Sequence, residues 1–178
     1  MSREYPDVFD TLRAMEATES SPGGRNGWVK ANINEPDIFF QQAVDYAAWK
    51  HKKQKRKGGI QESYINHVLG VSEIIRRAGI KDLPTRVAAI LHDTVEDTDA
   101  TEEEIRYIFG DEVADLVMEV TDNKALPGWR RKELQLIHAK LSSSDAPPDD
   151  EPHMKPLSYK ARVIKAADKL YNCNELSL

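Results

Sequence analysis

The dipeptide His92-Asp93 follows the apolar run Val87-Ala88-Ala89-Ile90-Leu91. Neighbouring residues on a helix point about 100° apart, so an imidazole and a carboxylate in this order can both reach one ion lying off the axis. The mixed nitrogen and oxygen donors suit borderline to hard divalent ions such as Mn²⁺, Fe²⁺ or Zn²⁺. On its own the pair is equally a surface pair met by chance. His67 opens an amphipathic segment just after Tyr64-Ile65-Asn66. Asp168 lies inside the apolar stretch Ala166-Ala167-Asp168-Lys169-Leu170. A carboxylate there is costly unless it is paired or metal-bound; the alternative is a helix salt bridge to Lys165 or Lys169. Glu96 sits four residues past His92, hence on the same helical face, and Asp97 follows it. Two acids one turn from a metal pair are placed to hold or deprotonate a water. The alternative is that they favour the next loop and cap the next helix, a task for which Asp99 and residues 102–104 are better placed.

A basic run over residues 52–57 ends in Arg56-Lys57. It supplies a counter-field for an anionic substrate on a chain whose net charge is −5. Arginine suits planar, bidentate phosphate contacts better than lysine. The plainer reading is a solvated helix end, favourable with the helix dipole.

The elements that must position these groups are all helical. The first strong helix begins near Pro36, a good first-turn residue, with Phe39, Ala43, Tyr46, Ala47 and Lys50 at helical spacing. Gly58-Gly59 turns the chain after it. A second helix is expected over residues 67–77, closing at Gly79. A third opens at Pro84 and runs to about Glu96, carrying His92-Asp93 within it. Thr101 followed by Glu104 is a capping box for a fourth. Val113, Leu116, Val117 and Val120 mark a fifth, and residues 129–141 a sixth. The last covers 159–176, with Val163, Ile164, Ala167, Leu170 and Tyr171 inward. A short helix over 8–16 is a further candidate. Residues 1–35 read as an N-terminal appendage broken by the turn-rich stretch from Ser20 to Asn26, and 36–178 as the domain. Residues 142–157, rich in proline and polar side chains, read as an inserted loop. There is no convincing strand, and the expected class is all-α.

Length and composition bound what these helices can serve. A chain of 178 residues with 40% hydrophobic content can bury a single core. A pI near 5.6 argues against general nucleic-acid binding. One cysteine excludes an internal disulfide framework and fits a reducing compartment. The sequence has no apolar run of the roughly 18 residues a membrane span needs, and its N-terminus lacks the apolar core of a signal peptide. A cytoplasmic protein that acts on a small molecule, with no nucleic-acid or membrane partner, is expected.

The ordered set His67, His92-Asp93, Asp168 resembles the pattern of HD-domain phosphohydrolases. The words KHKKQKRK, SYINH, AAILHDTVEDTDAT, VTDNKALP and AADKLYN resemble the hydrolase domain of RelA/SpoT proteins, above all the single-domain animal SpoT homologues. The resemblance runs from about Phe39 to Glu175. It implies an HD-domain helical bundle in which His67, His92, Asp93 and Asp168 hold one Mn²⁺, with Zn²⁺ or Fe²⁺ as alternatives. It implies that Glu96 and Asp97 orient and activate the water. Arg56 and Lys57 would meet phosphate or base, Tyr64 would line the nucleotide pocket, and Asn172 would contact substrate near the metal. Lys124 and Lys132 are further candidates for phosphate. The implied reaction is hydrolysis of ppGpp or pppGpp to GDP or GTP and pyrophosphate; removal of the 2′-phosphate of NADPH would use the same chemistry. A non-catalytic regulatory HD module is the rival expectation.

His51 matches no ligand position of that pattern, and a structural or supporting role is expected for it. His138 and His153 read as surface groups, Trp49 and Trp129 as packing residues, and Cys173 as core. The sequence departs from the pattern at the 142–157 insertion and at Asn174-Glu175, where an Arg-Asp pair is usual. Family members also continue through helices beyond the position of Leu178, so an open nucleotide cleft and exposed Leu170 and Leu176 are expected.

Overall fold

The computed structural model describes residues 28–56, 62–140 and 156–175. The chain divides into two compact units, Met1–Lys30 and Ala31–Leu178, and the helices among the described residues belong to the second. They are α1 (Pro36–Lys50), α2 (Ile65–Arg77), α3 (Leu83–Leu91), α4 (Thr94–Asp97), α5 (Glu102–Phe109), α6 (Asp111–Val120), α7 (Gly128–Lys140) and α8 (Tyr159–Glu175). Outside them, among the described residues, Lys55 and Ser63 form one isolated antiparallel bridge. The all-α reading therefore holds. The expected helix over 8–16, Gly58-Gly59, His153, Leu176 and most of the 142–157 loop lie outside the described residues, as does Lys57.

α3 is the spine of the bundle, packing against α1, α2, α6 and α8. Its whole second half, Val87 to Leu91, is buried. Val87, Ile90 and Leu91 each contribute about 1.5–3 kcal/mol by leaving water. The helix starts where Asp82 accepts hydrogen bonds from the Thr85 backbone N–H (3.0 Å) and hydroxyl (2.5 Å), with Pro84 in the first turn. Thr101 caps α5 in the same way, through the Glu104 N–H at 3.2 Å. The Glu104 carboxylate, however, takes the Lys50 ammonium at 2.8 Å, and Asp99 takes it at 3.1 Å, so Asp99 ties α1 to this loop rather than capping α5.

The third helix is not continuous to Glu96 as its apolar pattern suggests. α3 stops at Leu91, His92-Asp93 forms a turn, and α4 restarts at Thr94. Two side chains divert the carbonyls that would carry the helix on: His92 Nδ1 lies 2.8 Å from Ala89 O, and Thr94 Oγ1 donates to Leu91 O at 2.6 Å. Local side-chain bonds of this kind compete with the backbone ladder.

On α8 the buried residues are Ala161, Ile164 and Ala167, with Leu157 just before it. Val163 and Tyr171 are half-buried, and Leu170 is 51% exposed, on the flank of that stripe. Cys173 is exposed rather than core, one position off the stripe. Trp129, expected to pack, is 70% exposed on α7, whose outer face also carries Leu136. Trp49 is at the margin, with the Lys52 ammonium 3.2 Å from its ring centre.

Helix α2 meets α8 through Gly70. A methyl group at position 70 would overlap the Tyr171 ring, which stands edge-on to the His67 ring at 5.1 Å between centroids. Gly70→Ala should therefore destabilise the protein by about 1–3 kcal/mol by overpacking, although alanine is ordinarily the better helix former. Denaturant melts check this. In a Tyr171→Ala background the same substitution should turn neutral or stabilising.

Candidate metal centre and its cleft

Four side chains from three elements line one pocket, three of them closing on one point and Asp168 standing beside the two histidines. His67 comes from the first turn of α2, His92 and Asp93 from the turn that ends α3, and Asp168 from the middle of α8. His67 Nε2 lies 3.6 Å from Asp93 Oδ2 and 3.3 Å from Asp168 Oδ1. His92 Nε2 lies 3.0 Å from Asp93 Oδ2 and 4.0 Å from Asp168 Oδ1. One donor atom each from His67, His92 and Asp93 falls within 4.8 Å of the others. The plainer reading of Asp168 holds as well, through its second oxygen: Oδ2 is 3.3 Å from Lys169 Nζ.

The donor chemistry fits a cation. Ala89 O can only accept, so the short contact at His92 Nδ1 places the proton on that nitrogen and leaves Nε2 as a lone pair. Nε2 is buried with no hydrogen-bond partner among the described residues, and it faces the carboxylate oxygens. Lone pairs facing one another across a dry pocket call for a positive charge between them. Without an ion, a proton fills that need. Burial alone would lower the His92 pKa, but the Asp93 and Asp168 charges override it and push it up to about 9. Burial likewise opposes ionisation of Asp168, yet the His67 contact and the His92 charge bring it to about 2. Asp93 is held well below the usual carboxylate range against its own burial, by His92, His67 and the Tyr64 hydroxyl. A divalent ion replaces that proton and suits the same donors. The His67 ring is held by packing between Tyr64, His92 and Tyr171.

A cavity of about 190 Å³ opens over these four residues. Tyr64 lines it with its ring while its hydroxyl donates to Asp93 Oδ2 at 2.5 Å. Arg56 lies over that ring, 5.5 Å from its centroid, and donates to Asn172 Oδ1 at 2.6 Å; Asn172 in turn donates to Asp168 Oδ1 at 2.7 Å. Glu96 and Asp97 line the cavity as well. Glu96 Oε2 accepts from the Asp122 N–H at 3.2 Å, with Arg131 3.6 Å from its other oxygen. Burial, then the neighbouring Asp122, Asp93 and Asp97 charges, raise its pKa above that of an ordinary glutamate, against the pull of the Asp122 N–H. Asp97 Oδ2 accepts from Gln54 at 2.8 Å, and Oδ1 faces Lys124. Lys124 thus reaches the cleft only through Asp97, and Lys132 is exposed and absent from the cavity wall.

Sequence reasoning missed Asp122, Gln54 and Gln135, and weighed Lys165 and Lys169 only as partners of Asp168. Asp122 pairs with Lys165 at 3.2 Å, so Lys165 serves Asp122 rather than Asp168. Asp122, Gln135, Lys165 and Lys169 also wall a larger neighbouring cavity of about 670 Å³, whose apolar side is built by Leu126, Leu134 and Leu157. Asp122 and Gln54 stand inside VTDNKALP and KHKKQKRK, the words that carry the resemblance; that placement was the available signal.

Residues 43–177 match the model of the HD domain. The chain belongs to the HD-domain family. Within that family it is 47% identical over 136 residues to the guanosine-3′,5′-bis(diphosphate) 3′-pyrophosphohydrolase MESH1 of Xenopus tropicalis, covering 76% of this chain and 68% of that one. To the Homo sapiens protein of the same name it is 45% identical over 137 residues, with the same coverage. The HD bundle also superposes, with a TM-score of 0.66 and 41% identity, on a solved metazoan orthologue of SpoT described as hydrolysing ppGpp and acting in starvation responses; 78% of this chain and 70% of that one are covered. No helix among the described residues is long and apolar enough to cross a membrane.

Proposed function

We propose that this HD domain hydrolyses the 3′-pyrophosphate ester of ppGpp and pppGpp, adding water and releasing pyrophosphate with GDP or GTP. The observation that carries the reading is the clustering of His67, His92 and Asp93, with Asp168 beside the two histidines and two acids and an arginine in the same cleft. The names and the solved structure of its relatives support the substrate. His67, His92, Asp93 and Asp168 would hold the ion, for which Mn²⁺ is our assignment, with Zn²⁺ and Fe²⁺ the alternatives. A divalent ion bound there would supply Lewis acidity toward the phosphoryl group and lower the pKa of a water.

The remaining work falls to the chain's own side chains. Glu96, with its raised pKa, accepts the proton of the attacking water. Asp97 orients that water, its own carboxylate held from both sides by Gln54 and Lys124. Arg56 meets a phosphate of the substrate, exchanging Asn172 for it. Lys57 and Lys124 lie in the sequence words that imply phosphate contact. A reducing, cytoplasmic setting suits the exposed Cys173.

The decisive assay offers the purified chain ppGpp and NADPH side by side, with Mn²⁺, with each alternative ion, and with chelator. Release of pyrophosphate from ppGpp, abolished by chelation, is expected; phosphate released from NADPH alone would replace the substrate. No turnover with any of the three ions would overturn the reading. Arg56→Ala should raise KM for ppGpp roughly 10- to 100-fold, the worth of about 1.5–3 kcal/mol for a charge-assisted contact, with a smaller change in kcat. Lysine at this position should restore only part of the loss.

A further inference from the structure

Among the described residues, His51 is the one imidazole packed against the cleft residues with no place in the ligand set, yet it is only 1% exposed. It follows directly on α1, and its backbone N–H bonds back to Ala47 O, while the next N–H, of Lys52, takes Trp49 O. Its Nδ1 lies 2.7 Å from Gln54 Oε1, and Gln54 Nε2 donates to Asp97 Oδ2 at 2.8 Å. The direction of this chain of bonds is fixed from its far end. A carboxylate oxygen only accepts, so the Gln54 amide must turn its NH₂ to Asp97 and its carbonyl oxygen to His51. That oxygen also only accepts, so the proton of neutral His51 sits on Nδ1. Burial keeps the ring neutral by lowering its pKa, against the Gln54 bond and the Asp93 and Asp97 charges.

The same turn holds the other wall of the cleft. Gln54 O accepts from the Tyr64 N–H at 3.2 Å, and the His51 ring lies under the Tyr64 ring, 4.8 Å between centroids at 31°. Tyr64 in turn donates its hydroxyl to Asp93. His51 therefore backs two of the residues that face the reaction, one through a hydrogen-bond relay and one through ring packing. Lys124 is 48% exposed at its side chain and engages the other Asp97 oxygen, so it is a partner open to solvent screening. The Gln54 arm is the interior one.

We infer that His51 is a positioning residue for the hydrolytic reaction: as the neutral Nδ1–H tautomer it orients the Gln54 amide, and through it sets the Asp97 carboxylate toward the attacking water. The inference rests on the proposed hydrolase activity and adds to it a residue that touches neither substrate nor ion. Outer partners of this kind typically change activity about 10- to 100-fold when removed.

His51→Phe keeps a ring beneath Tyr64 and removes the donor. Gln54→Met leaves His51 in place and removes the amide. Both should lower kcat about 10-fold or more, leaving KM for ppGpp and the metal-induced rise in melting temperature unchanged. His51→Asn, whose amide nitrogen sits near the position of Nδ1, should recover most of the loss. In an Asp97→Ala background, which removes the acceptor of the Gln54 amide, His51→Phe should cost nothing further, because the relay ends at Asp97. A merely structural His51 would instead lower melting temperature with kcat per folded molecule intact, and losses that multiply with those of Asp97→Ala would overturn the relay. Nitrogen-15 NMR of the wild-type imidazoles tests the tautomer without turnover. A neutral ring protonated at Nδ1 is expected for His51, and an Nε2-protonated or charged ring would sink the inference even if the chain proved inactive on ppGpp. Wild-type inactivity alone counts against the hydrolase reading and leaves the NMR result to judge the relay.

Discussion

Asp168→Asn should lower hydrolysis by about 10³-fold or more and abolish the rise in melting temperature that Mn²⁺ gives the wild-type chain. The ion's stabilisation of a developing phosphoryl charge is worth several kcal/mol, and each 1.36 kcal/mol is tenfold in rate. Asp168 Oδ1 lies 3.3 and 4.0 Å from the two histidine Nε2 atoms, so losing its charge removes the α8 side of the site. A ligand that binds only the folded chain stabilises it by about 2.7 kcal/mol at 100 times its dissociation constant, which thermal melts resolve. The shift should also grow with pH. His92 in the ion-free chain has its pKa raised from 6.5 to about 9, so its protonated form contributes stability that is complete below about pH 6.5 and is lost as pH rises toward 9. The Asp168 contribution runs the other way, present above the ordinary aspartate range and lost as pH falls toward 2. Between pH 6 and 8 the ion-free chain thus weakens, and the falling proton activity lets an ion displace the His92 proton more readily. Melts with and without Mn²⁺ at these two pH values should diverge. An Asp168→Asn protein with an unchanged metal shift would show that the ion sits elsewhere.

The sequence made the candidate ligands legible because each carries a cost that its surroundings advertise. Asp168 sits in an apolar stripe, and His92-Asp93 ends an apolar run whose every member is buried. The helix starts were legible for the same reason: Pro36, Pro84 and Thr101 act within one turn of themselves. The break after Leu91 was not, since Thr94 is an ordinary helix residue until its hydroxyl takes the Leu91 carbonyl. Nor could an apolar pattern settle Leu170, Cys173 or Trp129. Their exposure depends on what packs beside them, and α7 makes few contacts with the rest of the bundle. The braces of the two acids were hidden for a third reason. Gln54 and Asp97, or Asp122 and Glu96, are far apart in sequence and are joined only by the packing of α1, α4 and α6 with their turns.

Those braces separate the two acids in kind. The buried side of Asp97 is tied to a neutral amide, whereas Glu96 is surrounded by burial and by the Asp93, Asp97 and Asp122 charges, all of which favour its protonated form. Glu96→Gln should therefore lower kcat about 10²- to 10⁴-fold, the usual worth of general-base assistance, with the Mn²⁺-induced melting shift retained. The carboxamide oxygen still accepts from the Asp122 N–H, so the loss is of proton acceptance and not of shape. The sign of the pH dependence follows. Only ionised Glu96 can take a proton, and its pKa is raised, so wild-type kcat should fall as pH drops through a value above the ordinary glutamate range. That acidic limb should vanish in Glu96→Gln. Asp97→Asn should give a smaller loss, because its carbonyl oxygen still accepts from Gln54, and should leave the acidic limb in place. The reverse ranking, with Glu96→Gln near wild type and Asp97→Asn inactive, would make Asp97 the proton acceptor and turn the His51–Gln54 arm into the support of the base itself.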